Sequence, residues 1–214
     1  LCHMRCIIAH MMNLELLPAL ITFAFVSSIT PGPNNLMLLA SGTNFGWTRT
    51  IPHMLGISIG FSLMIFGVGV GLMQIFNTYP LVYKSMQALS IAYLLYLAWK
   101  IANAKPLDPE KSAAAAAGRP LTFIQAALFQ WVNPKAWGMG VIAISTYAPS
   151  DSGLSGIVLV ALVFALVNLP CINTWILIGT QLSRFLQDPK WLRIFNVTAA
   201  VAMVASVIPV MLFS

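Results

Sequence analysis

Two short polar motifs interrupt long apolar segments of this sequence, and both carry groups that could bind a small charged solute. Residues 30–35 read Thr-Pro-Gly-Pro-Asn-Asn, and residues 133–135 read Asn-Pro-Lys. Proline removes a backbone N–H and frees a carbonyl oxygen, and such groups persist at membrane depth only beside protein or a watery cavity. A helix that begins after such a break directs free N–H groups, with partial positive charge, at that cavity. The motifs therefore predict a site for an anionic group.

A single proline kink in a membrane helix is more often structural than functional. Two breaks at corresponding places in the two halves of the chain favour a functional interpretation instead. The predicted substrate-binding residues are Pro31, Gly32, Pro33, Asn34, Asn35, Asn133, Pro134 and Lys135.

Lys135 is the one basic residue inside an apolar segment and away from its ends. An unpaired ammonium at the bilayer centre costs at least about 2.5–3.5 kcal/mol, so this side chain needs a partner. Four of the five acidic residues lie in polar stretches, and Glu15 lies at the edge of the first apolar segment. The carboxylate of a substrate could complete the pair. Alternatively, Lys135 reaches carbonyls freed by Pro134 or extends to the membrane surface.

Other polar residues in the apolar segments are weaker candidates. His53 and Glu15 are the residues that could carry a proton, although a histidine at a helix end is more often simply interfacial. Asn168 and Pro170 would form a hinge or a cavity wall. Gly56 and Gly60 form a GxxxG pattern that predicts close helix packing.

The composition indicates that the bilayer is the solvent of this chain. Of 214 residues, 59% are hydrophobic and 7% are charged, against roughly 25% charged in a soluble domain. Spanning about 30 Å of hydrocarbon takes about 20 apolar residues. The sequence predicts an all-α, multi-pass membrane protein with six transmembrane helices, at residues 16–46, 50–76, 81–101, 120–147, 154–182 and 191–213.

The predicted first and fourth helices are both broken, some 15 residues from their start. With three helices per half, the two halves would enter the membrane from opposite sides and form inverted repeats, an arrangement that points to a central transport site. We divide the chain into an extension that is non-native or disordered, a first repeat, a linker and a second repeat: residues 1–12, 13–101, 102–119 and 120–214.

The basic residues predict an orientation. Given six crossings, eight Lys and Arg fall on one side, among them Lys105 and Arg119, while Arg5 and Lys84 fall on the other. The positive-inside rule then places the linker in the cytoplasm and both termini outside.

No cluster of basic residues could follow a nucleic-acid backbone. The three cysteines have neither zinc-site spacing nor a disulfide pattern, and we expect no metal and no cofactor. No cleavage site for a signal peptide follows the first apolar segment.

Several features together resemble the LysE/RhtB family of bacterial amino-acid exporters. They are residues 30–35, Gly46, Gly56, Gly60, residues 98–102 and residues 133–135. The resemblance extends from Asn13 to the end, and the end of the third helix is similar to the cysteine and O-acetylserine branch. It implies proton-driven export of small amino acids or their derivatives, including homoserine- or threonine-like ones, across the inner membrane. Many relatives carry aspartate where this chain has Asn34.

An amino acid is a zwitterion, so its site should combine positive potential with hydrogen-bond acceptors. Lys135 and the helix that begins near Asn34 would bind the carboxylate. The amide oxygens of Asn34, Asn35 and Asn133 and the freed carbonyls would bind the ammonium. Partners would be the substrate and the lipid bilayer, with a homodimer as a candidate assembly.

Two other functions have residue requirements that the sequence does not meet as well. A metal or inorganic-ion exporter would need oxygen, imidazole or thiolate ligands, and the apolar segments offer only Cys171 and His53, on different helices. A membrane-embedded enzyme would need a nucleophile with a base, paired aspartates or an HExxH motif, none of which the sequence contains.

Overall fold

The computed structural model describes residues 2–72, 78–104, 119–148, 152–186, 188–206 and 208, without the side chains of residues 2–15 and of a few residues in 80–90. Within these ranges every regular element is helical, which confirms the all-α class. The helices are α1 (Cys2–Ile29), α2 (Pro33–Gly67) followed by a π-helical turn (Val68–Leu72), α3 (Pro80–Ala102), α4 (Phe123–Gln130), α5 (Pro134–Tyr147), α6 (Gly153–Leu182) and α7 (Pro189–Ala205).

Both predicted breaks are present in the structure. Helix α1 ends at Ile29 and α2 begins at Pro33, while α4 ends at Gln130 and α5 begins at Pro134. Proline occupies the first turn of both restarting helices, where its missing N–H has no intrahelical role and its fixed φ suits the helix. The Asn133 side chain caps α5 by accepting a hydrogen bond from the backbone N–H of Lys135 at 3.2 Å. The prolines thus end one helix and start the next.

The connection between the first two predicted crossings is a tight turn within α2. Two helices meet at Gly46, which alone leaves helical geometry, with φ 78° and ψ 173°. Ser41 and Thr50 would lie about 13.5 Å apart along a straight helix, yet their hydroxyl oxygens are 2.9 Å apart. Helix α2 therefore folds back on itself at Gly46 into two arms, α2N (residues 33–45) and α2C (residues 47–67).

Gly46 should tolerate no side chain. Its φ and ψ lie in a region that is accessible essentially to glycine alone, where other residues are strained by about 1–3 kcal/mol. We expect Gly46→Ala to lower the thermal midpoint of the purified protein, measured by differential scanning fluorimetry. Gly138→Ala is the control, because Gly138 is helical and a Cβ there meets no atom within 4 Å. Equal midpoints for the two variants would contradict this account of the turn.

Helix α1 extends further toward the N-terminus than the first predicted crossing. It begins at Cys2 and so includes residues 2–12, whose assignment to an extension stays a prediction. No proline or glycine precedes Pro18 in this stretch, which leaves the helix free to extend. The predicted linker is described only at its ends, because residues 105–118 lie outside the described residues, as do residues 73–76 of the second predicted helix and residues 209–213 of the sixth.

The helices pack through glycine at two contacts. A Cβ on Gly60 would lie 2.5 Å from the Cα of Ala127 on α4, and one on Gly56 would meet the Phe123 carbonyl. In the arm α2N, a Cβ on Gly42 would lie equally close to α6, 2.5 Å from the backbone oxygen of Ile176. The GxxxG pattern thus lies at a close helix contact, as predicted.

Helix α2 makes contacts with several other helices. Helix α2 packs against α6 and α4, α1 packs against α6, and α3 packs against α7. Two stretches of the described chain are long and apolar enough to cross a bilayer, residues 33–72 and 153–182, and Leu16–Ile29 is a shorter apolar helix. Large apolar side chains such as Leu81, Leu166 and Val201 are exposed on the outer surface.

Candidate functional site

The two breaks, about a hundred residues apart in sequence, lie against each other in the fold. The Asn34 side chain donates from Nδ2 to Oε1 of Gln130 at 2.7 Å, and Nε2 of Gln130 donates back to Oδ1 of Asn34 at 3.2 Å. Gln130 is fully buried and also donates to the Ala126 carbonyl. This reciprocal amide pair joins the start of α2 to the end of α4.

Lys135 crosses from the second break to the first. Its ammonium donates to the backbone oxygen of Thr30 at 2.9 Å, to the hydroxyl of Thr30 at 3.0 Å and to the backbone oxygen of Pro31 at 3.2 Å. These three oxygens are called the ammonium cradle below. The alternative interpretation of Lys135 was right in kind, but its carbonyl partners belong to the opposite break and not to Pro134.

Gly32 makes room for this crossing. A Cβ at this position would lie 2.7 Å from Cδ of Lys135 and 3.0 Å from Nζ. The backbone of Gly32 is extended, with φ −175° and ψ 177°, so its conformation itself would suit other residues. The position therefore favours glycine because of the space that Lys135 occupies.

The backbone carbonyls freed at the end of α1 are bound by side chains. Nδ2 of Asn35 donates to the oxygens of Ser28 and Thr30, at 2.8 and 2.7 Å. Nε1 of Trp175 donates to the Ile29 oxygen at 3.1 Å. Because buried carbonyls need partners, these contacts hold the break open in one defined geometry. Asn35 thus acts on the backbone of the break.

A cavity of about 30 Å³ lies between the two breaks and is called the central cavity. This space suffices for about two water molecules and not for an amino acid. Its wall includes Phe61 and Ile172, one from each of the two apolar clusters of the fold. The polar groups of the cavity therefore lie between these two apolar clusters. The lining residues are Ser27, Ser28, Gly32, Asn34, Asn35, Phe61, Asn133, Lys135, Ala136, Met139, Asn168 and Ile172.

Two polar atoms in this wall have no hydrogen-bond partner among the described residues. They are the hydroxyl of Ser28 and Nδ2 of Asn168, and both residues are buried. Since buried polar atoms nearly always have a partner, such atoms beside a cavity indicate a polar ligand. Asn168 was predicted as a cavity residue. Ser28 was not, because a serine in an apolar segment usually bonds the carbonyl four residues back, as Ser27 does here.

The remaining predicted residues lie elsewhere. Among the described residues that line the central cavity, neither Pro31, Pro33, Pro134 nor Pro170 appears. Pro31 contributes its carbonyl oxygen to the cradle, and Pro170 is exposed on α6. The prolines therefore shape the backbone, while neighbouring side chains line the cavity.

His53 lies in a different place from the central cavity. It is 2% exposed, and neither ring nitrogen has a partner in the described part of the chain. It lines a second cavity of about 300 Å³ together with Asn44, Lys100 and Arg119. The side chain of Glu15, the other candidate for proton coupling, lies outside the described residues. Among the described residues no three His, Cys, Asp or Glu side chains come together as metal ligands do.

Comparison with known proteins decides the family. The model of the LysE type translocator family matches residues 25–211, which include both breaks. The chain belongs to this family. As a LysE type translocator it is a multi-pass membrane transport protein and not an enzyme.

Curated relatives of this translocator carry a more specific name. The chain is 29% identical over 197 residues to the cysteine/O-acetylserine efflux protein of Escherichia coli strain K12, covering 90% of this chain and 96% of the relative. It is 31% identical over 173 residues to the protein of that name from Salmonella typhimurium strain LT2, covering 79% and 85%. No solved structure matches the chain. The resemblance stated from the motifs is confirmed.

Proposed function

We propose that this LysE family translocator exports small amino acids or their derivatives from the cytoplasm across the bacterial inner membrane. The observation that carries the proposal is the meeting of the two broken segments. Lys135 and the start of α2 line one cavity there, and the Lys135 ammonium binds freed carbonyl oxygens of the first break. Those groups are complementary to a zwitterion.

The carboxylate of the substrate has positive partners on both breaks. Lys135 lines the central cavity. In α2 the first backbone hydrogen bond runs from Leu36 N to Gly32 O at 3.0 Å, so the N–H groups of Asn34 and Asn35 precede the helical ladder. Nδ2 of Asn168 is a further donor without a partner in the described part of the chain. Together these groups form the anion-binding side of the site.

The occupied geometry must differ from the one described. A cavity of about 30 Å³ cannot hold an amino acid, so binding requires the two breaks to separate or Lys135 to move. Motion of one repeat against the other around a fixed central site is the general way in which such transporters alternate access. The described geometry therefore has no space of substrate size between the breaks.

The pattern of contacts supports six crossings in two inverted repeats. Because α2 folds back at Gly46, residues 2–45 and 47–72 count as two crossings, and α4 with α5 counts as one. A two-fold rotation that exchanges the halves would superimpose α1 on α4 and α6 on α2C, so the α1–α6 contact would correspond to the α4–α2C contact. The same rotation would exchange α3 with α7 and leave their contact in place. Both kinds of contact occur in the fold, as a two-fold relation requires.

Labelling tests the orientation, with the linker in the cytoplasm and both termini outside. Ser112→Cys, in a background with Cys2, Cys6 and Cys171 replaced by serine, should react with a membrane-impermeant maleimide only after the cells are permeabilised. Tyr79→Cys, on the opposite side, should react in intact cells and is the matched control. The reverse pattern would overturn the orientation.

Proton antiport is the proposed source of energy, with His53 as the candidate that the structure describes and Glu15 as the second. His53 is buried away from the central cavity, so its role would be to couple a conformational change to protonation and not to touch the substrate. Collapsing the proton gradient in everted vesicles should stop amino-acid uptake if this coupling is right. Uptake that continues without the gradient would exclude it.

Efflux from whole cells tests the function. Cells that overproduce the protein should release one or more amino acids faster and resist a toxic load of them, across a panel of cysteine, O-acetylserine, homoserine, threonine and neutral amino acids. The relatives named for cysteine and O-acetylserine efflux make these two compounds the first choice. Unchanged release of every compound on the panel would refute amino-acid export.

A further inference from the structure

We infer that the ammonium cradle is the subsite for the substrate's own ammonium, and that Lys135 occupies it as a built-in substitute until a substrate displaces it. The inference rests on the proposed function, since it supposes a substrate with both an ammonium and a carboxylate. It assigns Thr30, which is not among the predicted substrate-binding residues, to substrate recognition.

The chemical match is direct. The Lys135 side chain ends in a primary ammonium with three N–H donors, as does an amino acid. The cradle presents three oxygens, at 2.9, 3.0 and 3.2 Å from that nitrogen, two from backbone carbonyls and one from the Thr30 hydroxyl. The geometry that satisfies one primary ammonium satisfies the other.

The cradle is fixed by the fold and does not depend on Lys135 for its shape. Pro31 and Pro33 interrupt the helix, so the oxygens of Thr30 and Pro31 have no helical partner four residues on. Asn35 donates to the Thr30 oxygen at 2.7 Å and so orients that carbonyl. A carbonyl oxygen has two lone pairs, which leaves one for an ammonium. Thr30 and Pro31 are exposed, so the cradle is open on one side.

Charge explains why the exchange would select zwitterions. A substrate that carries both groups gives its ammonium to the cradle and its carboxylate to the displaced Lys135, so every charge keeps a partner. An amine without a carboxylate would leave the Lys135 ammonium unpaired, which is unfavourable at membrane depth. An acid without an amine would draw Lys135 away and leave the cradle oxygens without donors. A ligand with only one of the two charged groups should therefore bind weakly, because it leaves either the Lys135 ammonium or the cradle oxygens without a partner.

The Lys135 side chain also occupies the space that a substrate would need. Lys135 lines the central cavity, and its stem lies against Gly32. Withdrawal of this side chain would vacate the space between Gly32 and the three cradle oxygens, where the substrate's ammonium would lie.

Three ligands and one variant test the exchange with the purified full-length chain, with binding measured by isothermal titration under reducing conditions. The ligands are L-cysteine, cysteamine, which lacks the carboxylate, and 3-mercaptopropionate, which lacks the amine. Wild-type protein should prefer L-cysteine. In Lys135→Met the cradle has no resident ammonium, so we expect cysteamine affinity to rise about tenfold or more over wild type and L-cysteine to lose its advantage. Adding Thr30→Val should reverse much of the gain.

Lys190→Met is the matched control, because it removes the same charge from an exposed position on α7, and it should leave all three affinities unchanged. Cysteamine affinity that stays at the wild-type level in Lys135→Met would overturn the exchange, even if the cells export amino acids. A gain in cysteamine affinity without any amino-acid export would uphold the cradle and refute only the proposed function.

Discussion

Cells that carry Lys135→Ala should lose amino-acid export, with a rate about tenfold to a hundredfold below that of wild type. Hydrogen bonds to a charged group contribute about 1.5–3 kcal/mol, and this substitution removes the one basic side chain among the described lining residues of the central cavity. The substrate carboxylate would lose its ammonium partner. Release of labelled amino acid from preloaded cells measures the effect.

The control for this experiment is Lys190→Ala, at an exposed position far along the chain. Both variants remove one positive charge, so a general effect of charge on insertion would appear in both. The amount of protein in the membrane should be equal by immunoblot. Export at the wild-type rate by Lys135→Ala would remove this residue from the site and would also end the exchange inferred for the cradle.

Gly179→Leu should prevent stable folding. A Cβ at Gly179 on α6 would collide with the Leu39 carbonyl oxygen of α2N and would lie 3.0 Å from the Thr43 backbone nitrogen. The contact is also fastened by the Thr43 hydroxyl, which donates to the Gly179 oxygen at 3.0 Å. Forcing atoms into a packed core costs about 1–3 kcal/mol, and a collision with backbone is at the upper end because backbone cannot rotate away. Most of the purified variant should therefore aggregate.

Gly138→Leu provides the comparison for this prediction. Gly138 is exposed on α5, and a Cβ there meets no atom within 4 Å, so the same change of residue adds bulk without a collision. Size-exclusion profiles of the two variants in detergent, recorded at equal loading, separate the effects. A sharp monodisperse peak for Gly179→Leu, equal to that of Gly138→Leu, would show that α2N and α6 are not packed as described.

The positions of both helix breaks could be predicted because proline acts on the backbone locally. Pro33 and Pro134 occupy the first turn of a helix, where proline is favoured. Single prolines without a neighbouring glycine or asparagine turn, such as Pro52, lie inside helices instead. Lys135 could be singled out for the same reason, since a charge in an apolar segment is visible in the sequence. Its partners could not, because the carbonyls of Thr30 and Pro31 reach it only through the packing of two distant segments.

The missed features share a cause. Ser28 looks like an ordinary polar residue of an apolar segment, and its role arises from the cavity. The use of the Thr30 hydroxyl arises from the crossing of Lys135. The predicted crossings 16–46 and 50–76 agree with the turn at Gly46, but its geometry depends on one glycine dihedral that the sequence pattern does not specify. The assignment of substrate-binding roles to individual residues and the division into repeats remain predictions.

The contacts between the breaks bear on how the carrier behaves without cargo. Five hydrogen bonds link the two segments, three from Lys135 and two in the Asn34–Gln130 pair. Each intramolecular bond contributes about 1 kcal/mol net, so separating the segments with nothing to replace those partners is disfavoured. In the proposed mechanism a bound zwitterion would supply substitutes and lower that barrier. Futile cycling, in which the carrier dissipates an ion gradient while moving nothing, would then be suppressed by the same atoms that recognise the solute.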